Sequence, residues 1–271
     1  IVGEEIAFGA NTTTAPNIQL ELQRIASPAW IASPTIVQES DSSCFDANPV
    51  AVLWEWWTDK RFGFGRPESE LDIPRLQSAA ARLASEKLGL SPFVDTETDR
   101  KTILLKLFES IDAYPTSYGG KLGIELVRVA TGYIPRVDKN VTLSDPTMSG
   151  QQWPDTTNLT RVKFKDYEKA GQDNTATRRD VANFTIVKTV KTLTIDRPWV
   201  TRFAVANRIA MAAGRVAALP QVTGRMNLRY SASTLLQLGT VFEWVTRDGQ
   251  VLTLRVTERR EPPHDKSNVA I

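Results

Sequence analysis

A single cysteine (Cys44) and a single histidine (His264) are the scarcest chemistry in this 271-residue chain. One cysteine excludes an internal disulfide and any cysteine-based metal cluster. One histidine excludes zinc sites of the two- or three-histidine type. An excess of one charge is also lacking: 33 Lys and Arg against 31 Asp and Glu leave +2, so nothing marks a polycation for nucleic acid or membrane. No apolar run approaches the ~18–20 residues of a membrane-spanning helix. There is no Walker-type Gly-Lys-Ser/Thr, and Gly63-Phe64-Gly65 lacks the third glycine and following helix of a nucleotide fingerprint, which leaves a tight turn. The chain begins with Ile1, and Ile1–Ala7 has neither a basic leader nor a signal-like apolar core. We expect it to be a fragment of a longer polypeptide. What is present, 41% hydrophobic and 24% charged residues with 15 Gly and 15 Pro, describes a globular protein rather than a disordered or collagen-like one.

Periodicity supplies the organisation. Ile18, Leu20 and Leu22 alternate with polar residues as a half-buried strand. Pro28, Pro34 and Ser40–Ser43 read as irregular chain. Asn48-Pro49 predicts a capped helix start, with Leu53, Trp54 and Trp57 on one face and Gly63, Gly65 and Pro67 as its end. A second helix is expected from Asp72 to about Leu88, stopped by Gly89. A third, capped by Thr98 or Asp99, carries Ile103, Leu104, Leu107, Phe108 and Ile111 as its apolar stripe. Tyr118-Gly119-Gly120-Lys121 predicts a turn into a strand of alternating Leu122, Ile124 and Leu126.

Beyond residue 127 the pattern is mostly β. Val162 and Phe164 alternate with Arg161, Lys163 and Lys165; Thr185–Ile195 is rich in β-branched residues; Met226, Leu228 and Tyr230 alternate with polar neighbours. Asp248-Gly249 between two strand-like runs predicts a hairpin. One helix, from Thr201 to about Val216, interrupts this region with Phe203, Ala206, Ala210 and Ala213 on one face. The fold class is α+β, and the first strand is a candidate to complete a barrel with the later ones.

Catalytic constellations are few. A Ser-His-Asp triad would need His264, which stands behind Pro262 and Pro263 without a group to hold it. Cys44 would need a neighbouring base to act as a nucleophile, and a structural cysteine is the plainer reading. Glu55 with Asp59, or Glu68 with Glu70, are carboxylate pairs of the kind glycoside hydrolysis uses, though solvated helix faces produce the same spacing. Trp54, Trp56 and Trp57 form the densest aromatic cluster. It suits core packing, a subunit interface or a sugar-stacking platform. Arg161, Lys163 and Lys165 with Arg178 and Arg179 make a modest cationic patch with thin aromatic interleaving, read as a solvated strand face.

The run NPVAVLWEWWTDKRFGFGRPESELD (Asn48–Asp72) resembles a signature of tail-tip hub proteins of long-tailed bacteriophages, the family of lambda-type tip attachment (central tail fibre) proteins and gene transfer agent hubs. Leu20–Trp30 is similar to the strand before that signature, and Thr102–Val127 to the helix and hairpin after it. Asn158–Asp166 resembles the family's Asn-Arg-Val-x-Val-x-Phe-x-Asp strand with two additional residues, and Pro198–Ala213 its alanine-rich helix. Together these cover most of residues 17–260. The Trp-Glu-Trp-Trp run departs from the family, where leucines are usual.

The resemblance implies β-barrel hub domains with an inserted helical α/β domain. Residues 1–44 would end the first barrel, 45–127 form the insertion and 128–271 the second β-rich domain. It implies a structural virion protein at the tail tip: a homotrimer docking on distal tail and tail-tube proteins, linked to fibres or receptor-binding proteins, with DNA or tape-measure protein passing its lumen. It implies no enzyme activity, cofactor, metal or membrane span. Trp54, Trp56, Trp57, Arg61 and Phe62 are the interface candidates. A carbohydrate-directed hydrolase and a carbohydrate-binding module stand as the alternatives.

Overall fold

Asn48 begins the helical region as its sequence predicts. Its side chain accepts from the Val50 amide at 3.1 Å, and Pro49 occupies the first turn, where no amide is needed. The computed structural model describes residues 25–37, 45–94, 98–128, 133–138, 140–143, 146–169, 171–229, 236–246, 248–260 and 268–270. The strand expected at Ile18–Leu22, the loop Ser40–Ser43, Cys44 and His264 lie outside them.

In chain order, β1 (Thr35–Val37) pairs antiparallel with β2 (Phe45–Ala47) and leads into α1 (Pro49–Thr58). This helix stops at Thr58, sooner than the glycines suggested, because Asp59 takes an extended conformation and the next residues fold back. Asp72 caps α2 (Ile73–Ser85), accepting from the Arg75 amide. The expected stop at Gly89 is replaced by Lys87, which adopts φ 51° while its amide and that of Leu88 return to Ala84 and Leu83. Asp99 caps α3 (Arg100–Ile111), whose expected stripe is buried at Ile103, Leu107, Phe108 and Ile111. The hairpin of β3 (Ala113–Tyr118) and β4 (Lys121–Leu126) turns at Gly119-Gly120. β4 packs on α2.

β5 (Arg136–Val137) and β6 (Thr147–Gly150) follow, then β7 (Leu159–Asp166) and β8 (Gln172–Arg179). β8 has no hydrophobic alternation to announce it, since only Ala176 is buried. The strand expected over Thr185–Ile195 begins as helix in its first three residues and becomes strand only from Thr192. Asp180 accepts from the Asn183 amide at 2.8 Å and starts α4 (Val181–Val187), a local cap that overrides β-propensity. The strand proper is β9 (Thr192–Asp196), parallel to β7. α5 (Phe203–Ala217) lies across β7 and β8. Its buried face is Val205, Ala206, Ile209, Ala210 and Gly214, so Phe203 falls off the stripe and stays half exposed.

The last part is all strand: β10 (Val222–Arg225) on β6, β11 (Asn227–Arg229) on β14 (Asn268–Ala270), and β12 (Val241–Val245) between β13 (Val251–Arg255) and β5. Two cores result. The larger joins α1–α3 and β4 to β7, β8 and α5, with Leu53, Leu76, Leu107, Phe164 and Ala206 at its centre. The smaller holds Val137, Met226, Leu228, Leu236, Phe242, Trp244 and Val256. Among the described residues the chain is α+β, and its strands form six separate sheets of two or three strands, none closed into a barrel. Helices pack on two of these sheets, α2 on β4 and α5 on β7–β8. None of the described helices is long and apolar enough to cross a membrane.

Candidate functional site

The five interface candidates lie at the end of α1 and in the turn after it, but they face three different ways. Trp57, one turn after Leu53, is only 4% exposed and packs on Phe108 with ring centroids 6.3 Å apart. It is a core residue, and its packing joins α1 to α3. Trp54 and Trp56 are half-buried. Being two residues apart, they diverge by about 200° around the helix, so they do not offer a planar pair of indoles to a sugar. The Trp54 indole N–H donates to Glu68 Oε1 at 3.1 Å, and Trp30 donates to the same oxygen at 2.7 Å. Glu68, weighed from sequence as half of a carboxylate pair, is thus a clamp between two indoles. No local spacing points to Trp30 as its second donor, because 38 residues separate them.

Trp56 faces the opposite way. Its ring tilts against Phe62 at 5.6 Å, its N–H reaches the Arg100 carbonyl at 3.4 Å, and Arg61 sits 6.0 Å from the Phe62 ring. Arg61 is itself exposed and paired with Asp59 at 3.2 Å. The turn beneath them caps α1: the amides of Phe64 and Arg66 satisfy the carbonyls of Trp56 and Trp57. A β-carbon on Gly63 would stand 2.2 Å from the Trp56 carbonyl oxygen, so no larger residue fits, and Gly65 adopts φ 64°. Gly63 is therefore required by close approach, not by the positive φ that its sequence suggested. Arg100 braces the turn from α3, donating to the Gly63 carbonyl at 2.8 Å.

Asp59 organises this turn. Its Oδ1 accepts from the amides of Arg61 (2.7 Å) and Phe62 (3.3 Å). Burial raises the carboxyl's pKa, but those two amides and the Arg61 guanidinium outweigh it and hold Asp59 below the ordinary aspartate value. A carboxylate kept ionised in this way is a poor general acid, the role a Glu55–Asp59 hydrolase pair would require of one partner.

The cationic strand face is real but interrupted. Arg161, Lys163 and Lys165 are exposed on one face of β7, and the register brings Arg179 of β8 to the same face, opposite Leu159. Arg178 pairs with Thr160 and points to the α5 side. Asp173 pairs with Lys165 at 2.8 Å, and Asp196 lies opposite Lys163. Cations broken by carboxylates suit a solvated or protein-facing surface better than a phosphate track. Among the described residues no group of three or more His, Cys, Asp or Glu is placed to hold a metal ion.

No protein-family model matches the chain, and no curated protein matches it. Among solved structures it is similar to the 43 kDa tail protein of prophage MuSo2 from Shewanella oneidensis, at 13% identity and TM-score 0.41 over 66% of this chain and 55% of that one. It is similar to prophage tail protein gp18 from Listeria monocytogenes EGD-e, at 9% identity and TM-score 0.38 over 62% and 51% of the two chains. It is also similar to the tail protein from Neisseria meningitidis MC58, at 12% identity and TM-score 0.44 over 71% and 64%. In each case the match spans less than two thirds of the other chain's length, 51% to 64%.

Proposed function

We propose that this chain is a structural protein of a phage virion, a trimeric hub at the distal tip of the tail. In this reading it closes or continues the tail tube and links it to fibres or receptor-binding proteins. The observation that carries the proposal is the Asn48–Asp72 run. The residues that resemble the hub signature are those that build the local fold: Asn48 and Asp72 cap α1 and α2, and Asp59, Gly63 and Gly65 make the turn between them. The exposed edges of β8 and β9, which have no strand partner among the described residues, suit a chain completed by neighbours. The barrel would then be finished by copies around a threefold axis and by residues outside the described ones, with 45–127 inserted between 1–44 and 128–271. Trp56, Arg61 and Phe62 form the subunit-facing part of the aromatic cluster, and Trp54 and Trp57 its anchored base. Distal tail and tail-tube proteins are the neighbours, and the role is scaffolding without catalysis or cofactor. That is a tail role in kind, as the names of the three similar solved chains also say of those proteins.

Analytical ultracentrifugation of the intact protein at micromolar concentration is expected to give three copies, and gold-labelled antibody against this chain to mark the tail tip of phage particles. A monomer, together with particles that stay unlabelled, overturns the reading.

A further inference from the structure

Between the two cores lies a cleft of about 580 Å³, floored by Ala79 of α2 and Ile124 and Leu126 of β4 and closed on the far side by the 237–241 loop and Arg255 of β13. Its volume falls within the range of ligand sites, which favour junctions between structural units. Four guanidiniums, Arg75, Arg82, Arg128 and Arg255, line it against one carboxylate, Glu125. Even with the carboxylates that contact these arginines from behind, Asp72 on Arg75 and Glu86 on both Arg82 and Arg128, positive charge stays in excess. Arg75 and Arg82 stand seven residues apart on one face of α2, about 10 Å along the helix. Their side chains are 38% and 49% exposed, and each spends its Nε on the adjacent carboxylate. The Tyr118 ring lies under Arg75 at 5.4 Å, and Tyr118 and Tyr133 are exposed at the mouth. On the opposite wall Arg255 donates to the Arg128 carbonyl. Burial pushes its guanidinium pKa down and Arg128 pushes the same way, against Tyr114 and Glu125. That wall therefore holds positive charge that an incoming anion would relieve.

We propose that this cleft binds an acidic, extended polypeptide segment, with carboxylates taken by Arg75 and Arg82 and an apolar side chain between them on the Ala79–Ile124 floor. Guanidiniums two helical turns apart are too widely spaced for one small anion to touch both. An extended chain covers the distance in about three residues, and its carboxylates suit the bidentate geometry of arginine. A nucleic acid strand would carry phosphates continuously past Glu125, Asp72 and Glu86, where a peptide can leave gaps. The occupant is thus a partner protein's acidic segment, whether or not that partner belongs to a tail.

The test uses the full chain and a fluorescein-labelled twelve-residue peptide of repeating Glu-Ser-Leu-Ser, which sets glutamate and leucine in turn on one face of an extended chain, followed by anisotropy. Micromolar binding at low salt is expected, at least ten-fold weaker for the glutamine counterpart and weakening steadily as salt rises. Arg75→Gln with Arg82→Gln is expected to lower affinity at least ten-fold. Arg161→Gln with Lys163→Gln, on the exposed face of β7, should leave it unchanged. Arg82→Gln alone, expected to weaken binding several-fold, serves if the double variant misfolds by circular dichroism. No binding, equal binding of the glutamine peptide, or indifference to the Arg75 and Arg82 changes overturns the proposal. So does displacement of the peptide by millimolar phosphate, or tighter binding of a single-stranded oligonucleotide.

Discussion

The two cores of this molecule are built on different terms. Among the described residues the larger buries 26 apolar side chains and the smaller seven. The larger grows from three helices whose starts are each marked by a capping side chain, Asn48, Asp72 and Asp99. The smaller is assembled without a helix from short strands scattered between residues 136 and 270, and only β12 and β13 are joined by a tight turn. Seven buried side chains are too few to hold such strands alone. The smaller core leans on the larger at a seam where Gly239 meets Glu125 and Arg255 meets Arg128. The lesson is that one region is specified by its own sequence and the other by what surrounds it.

The strongest way to break this contrast is to cut each core at its aromatic centre. Phe164 is 2% exposed between β7 and α5, and Phe164→Ala is expected to cost about 3–5 kcal/mol and move the main urea transition. Phe242→Ala in the smaller core should leave that transition in place and accelerate amide exchange only in β5, β11, β12 and β13. A shared shift of the main transition in both variants would show one cooperative unit rather than two unequal ones.

Asn48 tests the larger region's local specification. It is fully buried; besides capping α1 it donates to the carbonyls of Ser33 (3.0 Å) and Ala80 (3.2 Å), tying three segments together. Asn48→Ala removes the cap and both donated bonds, the one to Ala80 buried, an expected loss of about 2 kcal/mol in denaturant melts. At the seam, Gly239 adopts φ 85°, and a β-carbon there would lie 2.9 Å from Glu125 Cγ. Gly239→Ala is expected to cost about 1–2 kcal/mol. Its signature should be faster exchange in the smaller core with the larger unchanged, which separates a loosened seam from general destabilisation.

What the sequence made legible follows the same division. Caps, glycine turns and apolar stripes are short-range signals, so α1, α2, α3 and both hairpins could be read from a few residues each. The misreadings have equally local causes. Lys87 ends α2 without a glycine, Asp180 turns a β-branched run into α4, and β8 hides because a strand with one buried residue shows no alternation. Of the interface candidates, Phe62 lies against Trp56 and Arg61 against Phe62, all within seven residues of sequence, whereas the Glu68 clamp needs Trp30, 38 residues away. The arginine cleft draws on residues 75, 82, 128 and 255, and no motif or spacing in the sequence singles it out. Sites made by tertiary meeting leave no periodicity to read. The barrel expectation concerned contacts of that kind as well.

The smallest expected effect is also the one that is most local. Asp59 holds the α1 turn through its ionised carboxylate, and its folded pKa lies below the ordinary aspartate value of 3.8. A depressed folded pKa means the folded state binds its proton less readily than the unfolded chain does. The stabilisation is therefore fully present above about pH 4 and is lost as pH falls through the lower folded value. Asp59→Asn keeps the shape and one acceptor oxygen but removes the charge that meets Arg61. Its melting temperature should sit slightly below that of the native chain from pH 5 to 8, and the gap should close on acidification toward pH 2. Because Asp59 belongs to the larger region, exchange in β12 and β13 should not respond to the substitution at any pH. A gap that stays constant down to pH 2 would assign the effect to turn geometry rather than to charge, and a response in the smaller core would erase the boundary between the two regions.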